Sequence, residues 1–370
     1  MNASAPARPA FGYDAAVVDA RAASLGLTAL HAPEGPRADG DARPDPLGGN
    51  AVPLLDLGLI VAEGSDAVSF LQSQLTNDVE LMPEDQWRRF GFCSAKGRLQ
   101  AIFTGWRVDG AGMALALPLP MVEVLRRRLS MFVLRAKVRL HDRSSSQAFF
   151  GLSGDSARAW IERAFGKVPP PGSLQRQGAR VLLALEPVDV DRLGGGGRMV
   201  PRWLLVCPSD DAAATWSDLR STLAAASGTF WQWLSVLSAV PQVLPGTWEC
   251  FVPQMVNLEL VGGVSFRKGC YPGQEVVARS QYLGKLKRRM SLGHADGELP
   301  MPGADIISEG QTEACGQVVL AAASPSGGFD VLFESQTAVL EGHALRVAGV
   351  PLELGRLPYA IPAPEPVTRL

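Results

Sequence analysis

Up to about Leu286 the sequence alternates strand-like and helix-like stretches, and beyond that point no helical period remains. The run Val52-Pro-Leu-Leu-Asp-Leu-Gly-Leu-Ile-Val61 reads as one strand or two short ones. Gly64-Ser65-Asp66 offers an N-cap, and Val68, Phe70, Leu71 and Leu75 follow at helical spacing, so a helix is expected to about Leu75. Thr76-Asn77-Asp78 ends it. Phe90–Cys93 and Leu99–Phe103 flank Ala95-Lys-Gly-Arg98, a β-hairpin with Gly97 in its turn. Met113–Leu117 is a strand, and Met121–Phe132 an amphipathic helix with Arg126, Arg127 and Arg128 on its wetter side. The rhythm then repeats: strand at Phe149–Leu152, helix at Ser156–Phe165, strands at Val181–Leu185 and Trp203–Val206, helix at Ala212–Ala225. A strand–helix–strand–strand pass made twice predicts an α+β chain of two ferredoxin-like units. The short runs after Leu286 (Ile306-Ile307, Gly316–Leu320, Phe329–Phe333, Ala344–Val347, Leu352–Leu354) are punctuated by Gly, Pro and Ser, and predict a small β-barrel.

With 370 residues the chain has room for two or three domains of roughly 100–200 residues each. The expected divisions are a flexible N-terminal extension over 1–47, dense in Ala, Pro, Asp and Gly with one short helix around Asp14–Leu27; an intertwined pair of α+β units over 48–285; and the barrel with its tail over 286–370. Thirty-five Lys+Arg stand against 37 Asp+Glu, a net charge of −2, so binding of nucleic acid by bulk charge is excluded and no stable nucleic-acid binding is expected. No apolar run reaches about 18 residues, so no membrane span is expected. The five cysteines, Cys93, Cys207, Cys250, Cys270 and Cys315, are widely spaced without a C-x-x-C pair, which argues against a disulfide framework or zinc ribbon and for a reducing compartment. No secretory signal is visible, and Asp14 and Asp19 oppose a transit peptide, so a cytoplasmic location is expected. His31, His141, His294 and His343 lack metal-ligand spacing, and no metal site is expected. Gly194–Gly197 has neither the following helix nor the Lys of a phosphate loop, and reads as a hairpin loop.

The chemistry concentrates in Lys268-Gly-Cys-Tyr-Pro-Gly-Gln-Glu-Val-Val-Ala-Arg279. Pro272-Gly273 is the pair that a type II turn requires, and Gly269 permits close backbone approach. A short helix is expected to start at Gln274. A thiol beside a helix N-terminus and a lysine gains thiolate character, so Cys270 reads as a reactive cysteine. The alternative is a small buried hydrophobe, the common fate of a free cysteine. The polar neighbours Lys268, Tyr271, Gln274, Glu275 and Arg279 favour reactivity.

This segment, with Tyr282, Gly284, Lys287 and Arg288 after it and Pro253-Gln254 and Asn257-Leu-Glu259 before it, resembles the signature of the YgfZ family of folate-binding proteins, relatives of the glycine-cleavage T-protein. Leu71–Asp78 and Lys96-Gly-Arg98 belong to the same pattern, which covers roughly residues 50–360. The resemblance implies two ferredoxin-like units around a central cavity, a C-terminal β-barrel, and tetrahydrofolate or a one-carbon derivative as cofactor. It implies a role in the assembly or repair of iron–sulfur enzymes, including radical enzymes that thiolate tRNA, with such enzymes or cluster-assembly proteins as partners. The family's functional cysteine carries over to Cys270, with Lys268 beside it. Folate contacts are expected from Gln74, Asn77, Asp78, Gln254, Asn257 and Glu259, and from the loop through Tyr271, Gln274, Glu275 and Arg279.

Three positions depart from the pattern. Relatives often carry Asp near Ile102, and relatives show Arg and Gly where this chain has Leu237 and Ala239. The alternative function, a tetrahydrofolate-dependent aminomethyl- or methyltransferase, needs a carboxylate to handle protons, and Ile102 speaks against it. A scaffold without a ligand is the third reading. The basic run Lys285–Arg289 reads as a contact for tRNA or a folate tail, or as a solvated strand edge. Phe230, Trp231 and Trp233 read as core in preference to a stacking platform.

Overall fold

The computed structural model describes residues 15–27, 44–108, 112–191, 196–282, 286–340 and 344–362. Most of the expected extension, together with His31, His343, Gly194, Gly195, Gly284 and Lys285, lies outside the described residues.

Helix α1 (Ala15–Ser24) is followed by two strands that serve different sheets, β1 (Asn50–Pro53) and β2 (Leu57–Glu63). From β2 the chain runs through α2 (Ala67–Gln74), the hairpin β3 (Trp87–Cys93) and β4 (Leu99–Val108), β5 (Gly112–Pro118), α3 (Val122–Ser130) and β6 (Arg139–Asp142). These strands form a five-stranded sheet in the order β3-β4-β5-β2-β6. The pass repeats as β7 (Gln147–Ser153), α4 (Asp155–Phe165), β8 (Leu174–Gln177), β9 (Arg180–Asp189), β10 (Met199–Pro208), α5 (Ala212–Arg220) and β11 (Ala224–Ala225). In this second sheet, β11-β1-β7-β10-β9-β8, strand β1 takes the place that β6 holds in the first. Both ferredoxin-like units predicted by the rhythm are present, and they are interwoven through β1.

The central strands β2, β5 and β7 are buried on both faces because the sheets stack with helices outside. On β2, Ile60 and Ala62 face α2 and α3, while Leu59 and Val61 face the space between the sheets. That is why the Val52–Val61 region reads as a nearly continuous apolar run and not as an alternation. The helix expected over Ala212–Ala225 is shorter: α5 stops at Arg220, and Ala224–Ala225 pair in parallel with Asn50–Ala51, covering the edge of β1. Asp66 stands at the N-cap of α2, yet its carboxylate accepts from Lys137 N at 2.7 Å and fastens α2 to the segment before β6 instead of capping the helix.

Helix α1 docks on the second unit. Ala22, Leu25 and Leu27 are buried with Phe150 and Trp216 in the core outside that sheet. Arg21 is buried as well, and its guanidinium donates to the carbonyls of Leu55, Leu57, Ser144 and Gln147. Burial lowers its pKa to about 10. Those carbonyls flank the two places where the chain passes between sheets, β1 to β2 and β6 to β7.

Helix α6 (Gly228–Leu237) lies between the sheets with Phe230, Trp231, Trp233, Leu234, Val236 and Leu237 buried. Gly151 on β7 makes room for it: a Cβ there would fall 2.4 Å from the Trp231 ring. Helix α7 (Gln274–Tyr282) precedes the barrel, whose strands are β12 (Arg288–Ala295), β13 (Asp305–Ser308), β14 (Ala314–Ala323), β15 (Phe329–Gln336), β16 (Leu345–Val347) and β17 (Val350–Gly355), with the single-turn helix α8 (Thr337–Leu340) between β15 and β16. They close in the order β12-β15-β14-β13-β16-β17. Trp233 Nε1 donates to Asp330 Oδ2 at 2.6 Å and joins α6 to the barrel wall. Among the described residues no helix is long and apolar enough to cross a membrane.

Ala239, just past α6, is fully buried with φ +52°. This is the left-handed conformation that favours Gly, the residue that the family resemblance leads one to expect here. Ala239→Gly is therefore expected to stabilise the protein by about 1 kcal/mol in denaturant unfolding, since relief of left-handed strain exceeds the added chain entropy. A destabilised variant would show that the left-handed geometry is not strained.

Candidate functional site

The two sheets and α6 do not close completely on each other. Between them lies a cavity of about 400 Å³, which falls in the range of small-molecule sites, roughly 300–1,000 Å³. Its apolar walls come from Ile102 and Ala116 of the first sheet, Leu185 and Leu204 of the second, Trp231 of α6, and Met301 and Leu320 of the barrel region. Its polar groups are Asp56, Arg89, Thr104, Arg202, Gln232 and Ser235 among others.

The two arginines are held differently. Arg89 is on β3, on the same face as Trp87, whose ring lies 4.8 Å from its guanidinium. It reaches across to the second sheet and grips Glu186 with both nitrogens, at 2.8 and 2.5 Å. Burial acts to raise the Glu186 carboxyl, but the hydrogen bonds and charge of Arg89 outweigh it and hold the group below its usual range. Arg202 on β10 donates to the Glu186 and Leu234 carbonyls at 3.2–3.4 Å, with its guanidinium 5.6 Å from the Trp231 ring. The cavity thus combines an indole wall with two oriented guanidiniums, a donor set suited to a flat, acceptor-rich ligand.

Cys270 is exposed, and the other four cysteines are buried or half-buried. Its loop is rigid on one side. Gly273 has φ +80°, as position three of a type II turn requires, and Gln274 N donates back to Tyr271 O at 3.1 Å. A Cβ on Gly273 would meet Ser94 O at 2.5 Å and Gly97 Cα at 2.6 Å, so the turn sits directly on the β3–β4 hairpin turn. Gly269 has open space where a Cβ would go and does not mediate a close approach.

Lys268 turns away from solvent. Its ammonium donates to the carbonyls of Gln72 and Leu75, the latter at 2.5 Å, capping the C-terminus of α2, and it lies 5.2 Å from the Tyr271 ring centre. Burial pulls its pKa down to about 8. Tyr271 is buried too, which raises its phenol.

None of the ten residues expected to contact folate lines the cavity. Gln254, Asn257 and Glu259 are brought together, but around Arg289 of β12. The Arg289 Nη1 donates to Gln254 O at 2.9 Å, to Asn257 Oδ1 at 3.3 Å and to the Glu259 carboxylate. Burial raises the Glu259 carboxyl despite this partner. Arg288 likewise pairs with Glu334, so neither arginine of the basic run is a solvated edge. Asn77 and Asp78 shape the turn after α2: Asn77 Oδ1 accepts from Asp78 N, and Asp78 Oδ1 from Leu81 N, both at 2.8 Å. Gln74 is buried beside Ser73. Gln274, Glu275 and Arg279 lie on α7, with Glu275 and Arg279 exposed.

The cavity residues Asp56, Arg89 and Arg202 carry no motif, while Trp231, read from sequence as core with Phe230 and Trp233, is buried and also lines the cavity. The signal present in the sequence is slight: Trp87-Arg-Arg-Phe90 and Pro201-Arg-Trp203 each put a charge inside an apolar strand.

No family model matches the chain. The chain is 33% identical over 240 residues to the tRNA-modifying protein YgfZ of Photobacterium profundum, covering 64% of this chain and 67% of that protein. It is 30% identical over 258 residues to the tRNA-modifying protein YgfZ of Colwellia psychrerythraea, covering 70% and 75%. Among solved structures, glycine cleavage system aminomethyltransferase T from Bartonella henselae matches with a TM-score of 0.63 at 16% identity, over 84% of this chain and 86% of that one. At that identity the structural likeness speaks for the fold, two α+β units and a barrel, while the sequence likeness to the curated proteins places the chain in the YgfZ family.

Proposed function

We propose that the protein is a folate-dependent accessory factor in the assembly or repair of iron–sulfur enzymes, including enzymes that thiolate tRNA. In this reading a reduced folate occupies the central cavity, Cys270 supplies the working thiol, and the setting is the cytoplasm. The relatives' name, tRNA-modifying protein, supports the coarser role. The observation that carries the ligand is the cavity itself: a partly open space between two sheets with one indole wall and two buried guanidiniums.

The residues present fit such a group. Trp231 offers a face for a pterin ring, and Arg89 and Arg202 offer donors to ring carbonyl or carboxylate oxygens. A folate, when bound, supplies a carrier for one-carbon units. Lys268 and the Gly273–Gly97 contact hold the Cys270 loop while the thiol stays open to a partner. The cavity face of β4 presents Ile102, an aliphatic, where a transferase would require a carboxylate, so the accessory role is preferred over aminomethyl transfer.

Tetrahydrofolate at about 100 times its dissociation constant is expected to stabilise the full chain by roughly 2.7 kcal/mol, visible as a raised melting temperature. An unchanged melting temperature at millimolar tetrahydrofolate would end the folate reading.

A further inference from the structure

Arg89 belongs both to the cavity wall and to the fastening of the segment that carries Cys270. Besides Glu186, its Nη1 donates to Val261 O at 3.1 Å. The next residues are held from the same strand and from the turn after α2. Asn77 Nδ2 bridges Arg89 O at 2.9 Å and Gly262 O at 2.7 Å. Thr76 Oγ1 donates to Gly263 O at 2.6 Å, and Ser265 N donates to Thr76 O at 2.9 Å. Lys268 completes the series on Leu75 O. Of these fastenings, Arg89 is the one whose side chain also faces the cavity.

We propose that Arg89 is a positioning residue that couples occupancy of the cavity to the hold on residues 261–270. The inference rests on the folate reading of the cavity. A guanidinium is a rigid planar fork, so it cannot turn toward a new acceptor and keep every old one. An acceptor oxygen arriving from the cavity competes with two partners of unequal strength. The grip on Glu186 is bidentate and has a charge on both sides, whereas Val261 O offers one bond to a neutral carbonyl, so the latter yields. The segment then loses its cavity-side tether while Asn77, Thr76 and Lys268 keep it in place. The result is a looser thiol-bearing segment when the cavity is filled.

Amide hydrogen exchange on the full chain reads this directly, because the amides of Gly262, Gly263 and Ser265 are bonded within or to the segment. In ligand-free protein, Arg89→Met is expected to speed exchange over residues 260–266 by about three- to tenfold, the equivalent of one hydrogen bond. In the wild type, millimolar tetrahydrofolate is expected to speed the same amides by a similar factor while those of β4 and β9 slow or stay unchanged. General stabilisation cannot produce that opposite pair. Arg89→Lys keeps the charge without the fork and is expected to show the fast, ligand-insensitive exchange of Arg89→Met. It also serves if the methionine variant does not fold. Exchange at 260–266 that matches the wild type in both ligand-free variants overturns the link, whether or not folate binds. A wild type that gains melting temperature with tetrahydrofolate but shows no acceleration there overturns it too. A wild type with no thermal shift sinks the folate reading instead, and the ligand-free comparison still decides whether Arg89 holds the segment.

Discussion

Cys270→Ser, introduced into a strain lacking the protein, is expected to leave thiolated tRNA at the level of the null strain, although the folded protein is intact. The expectation follows from the proposed role together with one structural fact: the side chain is exposed and bears no packing load. Surface substitutions of this kind change unfolding free energy by no more than about 0.5 kcal/mol, so a loss of activity cannot be assigned to misfolding. Serine keeps the size and polarity and removes the sulfur, and so isolates the chemistry. Full restoration of thiolated tRNA by the serine variant, measured by mass spectrometry of digested tRNA, would remove the thiol from the proposal. Cys207→Ser is the useful contrast. That thiol is wholly buried on β10, and desolvation raises its pKa. It behaves as core, and its loss is expected to show in stability before it shows in activity.

The second large effect concerns the turn beneath that thiol. Gly273→Ala is expected to cost about 3 kcal/mol in denaturant unfolding. Left-handed strain contributes roughly 1–2 kcal/mol. The overlap of the new Cβ with Ser94 O and the Gly97 backbone contributes about as much again, because backbone atoms cannot swing away as a flexible side chain can. The matched control is four residues upstream. Gly269→Ala meets open space and is expected to fall within about 0.5 kcal/mol of the parent. Equal effects at the two positions would show that the loop does not rest on the β3–β4 hairpin turn as described.

Local chemistry was readable ahead of the structure, and distant partnerships were not. The hairpin turn at Gly97, the type II turn at Pro272-Gly273 and the start of α7 at Gln274 are written in short stretches whose backbone demands only a few residues meet. Strands β6 and β8 are short and polar in part, β11 is two alanines, and all three owe their conformation to pairing with β2, β9 and β1, so no period announces them. The buried arginines were missed for a related reason. In sequence a guanidinium bound for the interior looks like one bound for solvent, and the partner that makes Arg89 tolerable, Glu186, lies 97 residues away. Arg289 shows the same from the other side. It stood in a run that invited a surface reading, yet it organises Gln254, Asn257 and Glu259, residues that looked from the motif alone like ligand contacts.

The place of β1 has a consequence for how the molecule is made. Asn50–Pro53 leaves the ribosome before every strand that will flank it, since its neighbours are β7 and β11. At about 5–20 residues per second, the nascent chain carries β1 unpaired for on the order of ten seconds. The first unit can close on β6 in that interval, while β1, encoded ahead of it, waits for the second unit to be made. Splitting the gene between Asp142 and Gln147 would therefore deprive the downstream fragment of an interior strand, whereas a rearranged chain with β1 transposed to follow β11 would restore contiguity to both halves.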